Sequence, residues 1–299
     1  MNADIPALQI GSLATIRYSF SGHESFHCRL LWLKKGYDFL NNGHAFNSPD
    51  AVMHLGVGKN MVAAIRFWLK AFGLTENDNL TELSHLVFSD QNGFDRFLED
   101  TNTLWLLHYN IIKTGIASLY HLLFLEYQRE HKEFDRDSLL QFIKRKCSVP
   151  EQKNVYNENT AKKDINVLLQ TYVAPTSLKS LEDFTALMIG LNIIQSNDAE
   201  GNGNRYYFNE THSDVIAPEI ILYSLIDIKG EDNTVSFDKL KELSLTFCMP
   251  ITELIETIRN LESSAKYGLH YTDNSGIKNV QFTRSIEKYE ALNDYYLAI

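Results

Sequence analysis

His23-Glu24-Ser25-Phe26-His27 has the residue types and spacing of a zinc-binding H-E-x-x-H helix. On a helix, histidines at i and i+4 share a face and can hold one metal, with the glutamate as general base. Two features speak against that chemistry. Ser21-Gly-His-Glu24 reads as a capping box, with Ser21 as N-cap and Glu24 reaching back to its backbone N–H. Glu24 then has an ordinary structural task. A catalytic zinc also needs a third protein ligand, and the nearest imidazole, His44, sits in the turn-like Asn41-Asn-Gly-His44. No zinc is expected.

Gly56-Val-Gly-Lys59 resembles part of a phosphate-binding loop. A P-loop needs G-x-x-x-x-G-K-[ST]. Here Met53 stands where the first glycine belongs and Asn60 where the magnesium-binding hydroxyl belongs, so no bound nucleotide is expected. A weaker reading survives. The glycines precede a helical run, and free backbone N–H groups at a helix N-terminus attract anions. Along that run Met61, Ile65, Trp68, Leu69 and Phe72 share one face, and Lys59, Ala63, Arg66 and Lys70 share another. The second face is either a solvated side of a core helix or a phosphate-contacting stripe. Local charge favours the stripe. Residues 16–70 carry seven Lys/Arg against three Asp/Glu, a net of +4, in a chain of net charge −10. Residues 71–100 carry one against seven, a net of −6.

Three longer strings carry a family resemblance. They are F-S-G-H-E-S-F-x-x-R-x-x-W-L-K-K at 20–35, L-G-V-G-K-N-M-V-x-A-I-R-F-W at 55–68, and Thr103-Leu-Trp-Leu-Leu-His108. With them, nearly the whole chain resembles the family catalogued as domain of unknown function 4007. The best-known members are SspB-like components of bacterial DNA phosphorothioation (Ssp) systems. The resemblance implies a cytoplasmic protein of phage defence. Its implied partners are DNA, a cysteine desulfurase, an ATPase and a sulfur-transfer enzyme. The implied activity is nicking of DNA so that sulfur can enter the backbone. It does not say which residues cut.

Metal-assisted strand cutting needs carboxylates around Mg2+, often with a cation nearby. Glu24, beside Arg29 and Lys35, is the preferred catalytic or DNA-orienting carboxylate, with His23 as general base or phosphate donor. Glu24, His23 and Arg29 are thus the expected catalytic group, with Mg2+ as the expected ion on ligands the sequence does not identify. The plainer role for Glu24 and His23 is capping and local packing. Pro218-Glu219 with Asp227-Ile-Lys229 imitates the P-D…D-x-K order of restriction nucleases, but the apolar helix between them reads as packing. Expected DNA contacts are Lys34, Lys35, Lys59, Asn60, Arg66, Lys70, Lys162 and Lys163.

These groups must be held by a mainly α chain. Helices are expected near 22–40, 48–54, 59–72, 79–88, 91–99 and 115–131, then at 138–146 and 159–172. Residues 187–194 and 205–208 flank Glu200-Gly-Asn-Gly203 and read as a hairpin. The order repeats with helices at 218–227, 236–243 and 250–261 and a hairpin around Asn274-Ser-Gly276. Two helices followed by a two-stranded wing is the winged-helix outline. The expected organisation is an N-terminal helical domain (1–110) and two winged-helix-like units (111–215 and 216–299) with small β-hairpin wings. Cys28, Cys147 and Cys248 are widely spaced, which suits a reducing cytoplasm. No apolar run approaches the roughly 20 residues of a membrane span, and no signal peptide precedes the first helix. Three functions follow: a DNA-nicking component, a non-catalytic DNA-binding adaptor that recruits the sulfur-transfer enzyme, and, far behind, a zinc hydrolase. A homodimer is compatible with each.

Overall fold

The computed structural model describes residues 17–298 except 153, 176–184, 198–204 and 275. Among these the chain is mainly α, with small antiparallel sheets. Two compact units divide it at Asn209 and Glu210. The boundary expected near residue 110 falls inside a helix, and the one near 215 lies close to Glu210.

The first helix starts ten residues later than the sequence suggests. α1 spans Trp32–Asn41, and residues 17–31 are non-helical. The reason lies in the backbone. Ser21, Gly22, Glu24 and Ser25 have φ of 71°, 93°, 50° and 64°, which no right-handed helix accepts. There is accordingly no capping box at Ser21 and Glu24. α2 (Ala51–Leu55) ends on left-handed Gly56, and α3 (Lys59–Ala71) starts after Gly58. α1 and α3 bury facing apolar sides, Trp32, Leu33, Tyr37 and Phe39 against Ile65, Trp68 and Leu69 among others. Gly36 is the point of closest approach. A Cβ there would lie 2.6 Å from Leu69 Cδ1 and 2.8 Å from Ile65 Cγ2.

β1 (Thr75–Glu76) and β2 (Asn79–Leu80) form a hairpin whose two turn residues, Asn77 and Asp78, are both left-handed, as a type I′ turn requires. α4 (Glu82–Phe88) follows, capped by Thr81. The helix expected over 91–99 does not form. Asp95 instead accepts the Glu99 and Asp100 N–H groups, Leu98 is left-handed, and Gly93 packs against the Ser89 backbone too closely for a Cβ. α5 (Thr101–Thr114) is buried on nearly every side, so the apolar run at 103–108 lies within a helix. α6 (Ser118–His121) passes through a π-helical stretch, Leu122–Tyr127, into α7 (Gln128–Glu130).

β3 (Glu133–Phe134), α8 (Arg136–Lys146) and α9 (Glu158–Tyr172) come next, with an Asp135–Ser138 capping box opening α8 and Asn157 capping α9. β4 (Ile194–Asn197) and β5 (Arg205–Phe208) then complete a sheet of order β3-β5-β4. The turn expected at 200–203 lies outside the described residues.

The second unit repeats this order: α10 (Pro218–Lys229), β6 (Thr234–Ser236), α11 (Phe237–Thr246), α12 (Ile251–Ser263), β7 (Leu269–Asn274) and β8 (Ile277–Phe282), with sheet order β6-β8-β7. Each hairpin therefore gains a third strand that the sequence reading did not separate from its helices. α13 (Lys288–Tyr296), also unforeseen, packs on α10, where Lys288 pairs with buried Asp227 at 2.9 Å. Asp227 thus has a structural partner. Cys28, Cys147 and Cys248 are free and buried. Among the described residues no helix is long and apolar enough to cross a membrane.

The tight α1–α3 crossing yields a stability prediction. Gly36→Ala should cost about 1–3 kcal/mol, because two buried side chains must shift. Gly190→Ala, where a Cβ meets only Leu104 at an ordinary 3.7 Å, should be near neutral. Denaturant titration of the two variants checks the contrast.

Candidate nucleic-acid interface

The segment Phe20–Phe26 is a loop clamped onto α3. His23 is 3% exposed, its ring stacked on Trp68 (5.8 Å, 12°) and edge-on to Phe67 (5.7 Å, 82°). Both ring nitrogens are occupied. Nδ1 accepts the Ser25 N–H at 3.2 Å, so Nε2 carries the proton it directs at Asp164 Oδ1, 3.1 Å away. Asp164, on α9, also accepts the Ser21 N–H with both carboxylate oxygens, at 3.0 and 2.9 Å. The Trp68 indole donates to Phe26 O at 3.1 Å, and Phe26 N–H to His23 O at 2.8 Å. Gly22 lies flat on Phe67, where a Cβ would come within 2.7 Å of the ring. The loop, α3 and α9 are thus tied through four side chains.

This geometry changes the reading of the H-E-x-x-H string. Its residues do not lie on one helical face. His23 is a positioning residue with no free nitrogen, so a general-base role does not suit it. His44 stacks instead on Phe39 and His54. Glu24 is exposed at the loop's tip. Arg29 stacks over Trp32 at 5.3 Å, its backbone bridged to Ala186.

Beyond Phe67, the exposed side of α3 borders a groove of about 990 Å³. Lys59, Ala63, Arg66 and Lys70 line one wall, so the basic stripe read from the sequence converges on one space. Phe46, Pro49 and Val52 form another wall, and Asn77 and Asp78 of the β1–β2 turn close it. Lys59 and Lys70 are exposed and have no ion-pair partner among the described residues. Arg66 is held by Asp78 through two bonds, Nε to Oδ1 at 2.8 Å and Nη2 to Oδ2 at 2.5 Å.

The remaining expected contacts divide. Asn60 is exposed beside Lys59. Lys35 is exposed and donates to Leu55 O at 3.1 Å. Lys34 is buried and paired with Asp38 (2.6 Å) and Asp90 (2.8 Å). Burial works to lower the Lys34 ammonium pKa, but the two carboxylates outweigh it and the net shift is upward. Lys34 is therefore a structural ion pair and not an open phosphate contact. On α9, Lys162 pairs with Glu158 at 2.5 Å, and Lys163 is exposed.

Sequence reading missed Phe67, Asp78 and Asp164. Asn77-Asp78 carried a usable signal, since such pairs favour two-residue hairpin turns. Asp164 carried none, because its partners lie more than 140 residues away. Magnesium prefers near-octahedral oxygen ligands, commonly including carboxylates. Among the described residues no three His, Cys, Asp or Glu side chains gather to hold a metal. Glu24 has no such group around it among those residues, and Asp78 is engaged by Arg66.

The model of a family described as protein of unknown function, DUF4007, matches residues 20–296. A search of curated proteins gives no match. Two crystal structures share the fold at 24% identity, each covering 93% of this chain and 88% of its own. One is a magnesium ion-bound SspB, at a TM-score of 0.79, and the other is SspB, at 0.78.

The clamp predicts which loop changes disturb the interface. Gly22→Ala should destabilise the protein by about 1–3 kcal/mol, since φ of 93° and the Phe67 ring both oppose a side chain. Asp164→Ala should cost at least about 1–3 kcal/mol by leaving buried donors unpaired. Glu24→Gln should leave stability within about 0.5 kcal/mol. Thermal and urea unfolding of the three variants checks this order.

Proposed function

Because the chain belongs to the DUF4007 family, and its α3 groove gathers cations, we propose that it is a duplex-DNA-binding component of a bacterial phosphorothioation system. One observation carries the reading. Lys59, Arg66 and Lys70 line a single groove on a chain of net charge −10. Phosphate affinity depends on how many phosphates are neutralised locally, so an acidic protein can bind DNA through such a site without coating it indiscriminately. Lys35, Asn60 and Lys163 are further exposed candidates. The twice-repeated order of helix, strand, two helices and hairpin, with matching sheet orders, supports reading residues 118–208 and 218–282 as winged-helix units. Such units bind DNA or protein. In this reading the chain works in the cytoplasm with a cysteine desulfurase, an ATPase and a sulfur-transfer enzyme of Ssp type, which it recruits to DNA.

Nicking of the bound strand is the second reading. The observation behind it is that a magnesium ion-bound SspB shares this fold. Glu24 and Arg29 remain its candidate residues, and the carboxylates that would complete a metal site are not identified by the described side chains.

Binding and cutting are separable. Lys59→Ala, Arg66→Ala and Lys70→Ala should each weaken duplex binding about equally on unrelated sequences. Each should also lower the salt slope by roughly 0.9 per lost contact. Fluorescence anisotropy across a salt series measures both, and unchanged affinity and slope would reduce the stripe to a solvated helix face. Supercoiled plasmid incubated with and without Mg2+ tests cutting. Open circle that needs Mg2+ and falls in folded Glu24→Gln and Arg29→Ala supports nicking at this loop. Intact supercoiled plasmid, with binding retained, supports the recruiting role alone.

A further inference from the structure

Arg66 differs from the other two groove cations in having a resident anion. Its guanidinium makes a two-point contact with the Asp78 carboxylate, at 2.8 and 2.5 Å. That fork is the geometry with which arginine also grips a phosphate. We propose that Asp78 occupies, in the free protein, the seat on Arg66 that a backbone phosphate takes in the DNA complex, and so sets the affinity of the groove. The inference rests on the groove being the DNA interface.

Three observations support an exchange of one anion for the other. First, the pair is half-exposed, with side-chain exposures of 50% for Arg66 and 41% for Asp78. Ion pairs at such sites contribute little and yield readily to competing anions. Second, Asp78 comes from outside α3. It sits in a two-residue turn between two-residue strands, so its carboxylate can leave Arg66 by rotating its own side chain while the helix stays in place. Third, the carboxylate lies inside the groove and not behind it. Asp78, Arg66, Lys59 and Lys70 all line the same space. Among these four, the one negative charge is directed at the arginine, the side chain best suited to a planar two-point contact. An incoming phosphate must therefore displace Asp78 and then tolerate its charge nearby. The groove is held below its full affinity, and weak sites elsewhere on DNA are released more easily.

Asp78→Asn tests this without disturbing the turn, because Asn tolerates φ of 62° and neighbouring Asn77 already adopts 49°. Glu76→Gln is the control for net charge. Glu76 is exposed on the same hairpin and pairs with no cation among the described residues. In anisotropy titrations of the full chain on a duplex at low salt, Asp78→Asn should tighten binding about two- to five-fold, and Glu76→Gln clearly less. In an Arg66→Ala background the gain from Asp78→Asn should disappear. Equal gains from Asp78→Asn and Glu76→Gln, or a gain that persists without Arg66, would reduce the effect to net charge and overturn the proposal. No gain from Asp78→Asn, while Lys59→Ala and Lys70→Ala still weaken binding, would overturn it and leave the DNA interface standing. If the two lysine variants also bind like the parent protein, the interface itself fails and the proposal with it.

Discussion

The fold around the candidate interface depends on the indole of Trp68. Its ring is fully buried and carries the His23 imidazole on one face. Its N–H holds the Phe26 carbonyl, which fixes the far end of the same loop. Four left-handed residues between Phe20 and Phe26 give the loop a shape that a helix cannot supply. Such backbone is costly and persists where surrounding contacts over-determine it. Here the contacts are Trp68 and Phe67 below, and the Asp164 carboxylate at the side. The loop in turn braces the residue next to the basic stripe, since Phe67 meets His23 and Gly22 on one side and lines the groove on the other. Apolar packing thereby sets where the charged side chains stand.

Charge is arranged differently in space than along the chain. The sequence separates a basic stretch, 16–70, from an acidic one, 71–100. Folding turns the second back onto parts of the first. Asp90 reaches Lys34, and Asp78 reaches Arg66. The two pairs have different consequences. Lys34 is buried, so its partners offset the cost of removing an ammonium from water. Arg66 is exposed, and its pairing is weak by the same reasoning. A net charge counted over a segment therefore overstates what that segment offers a polyanion.

The α3 stripe was legible because periodicity survives in a regular helix. Lys59, Arg66 and Lys70 share a face at spacings that need no knowledge of the fold. The helices capped by Asp135 and Asn157, and the β7–β8 hairpin, were legible for the same local reasons, whereas the strand expected at 187–194 lies at Ile194–Asn197, after a 3-10 turn at Ile189–Leu191. The start of α1 was not. Ser21-Gly-His-Glu24 has the letters of a capping box, yet the backbone there is left-handed, held by an aspartate on α9. Long-range contacts overrode a local signal. The helix expected at 91–99 failed similarly, where the Asp95 carboxylate takes N–H groups into a compact turn. The lysine roles divided on burial. Lys34 and Lys35 are adjacent in sequence, but one is buried in an acidic niche and the other is exposed with its ammonium on the Leu55 carbonyl.

The three cysteines give the protein a property of a different kind. Cys28 is fully buried, and burial lifts its thiol well above the ordinary range. Burial likewise lifts the Cys147 thiol to about 11, and Cys248 is buried as well. Thiolates are the reactive species, so at neutral pH these side chains are poor targets for maleimides. A single cysteine placed at exposed Ala63, on the groove wall, would then be a selective attachment point for a fluorophore. The occupancy of that wall could be followed optically in the otherwise unaltered protein.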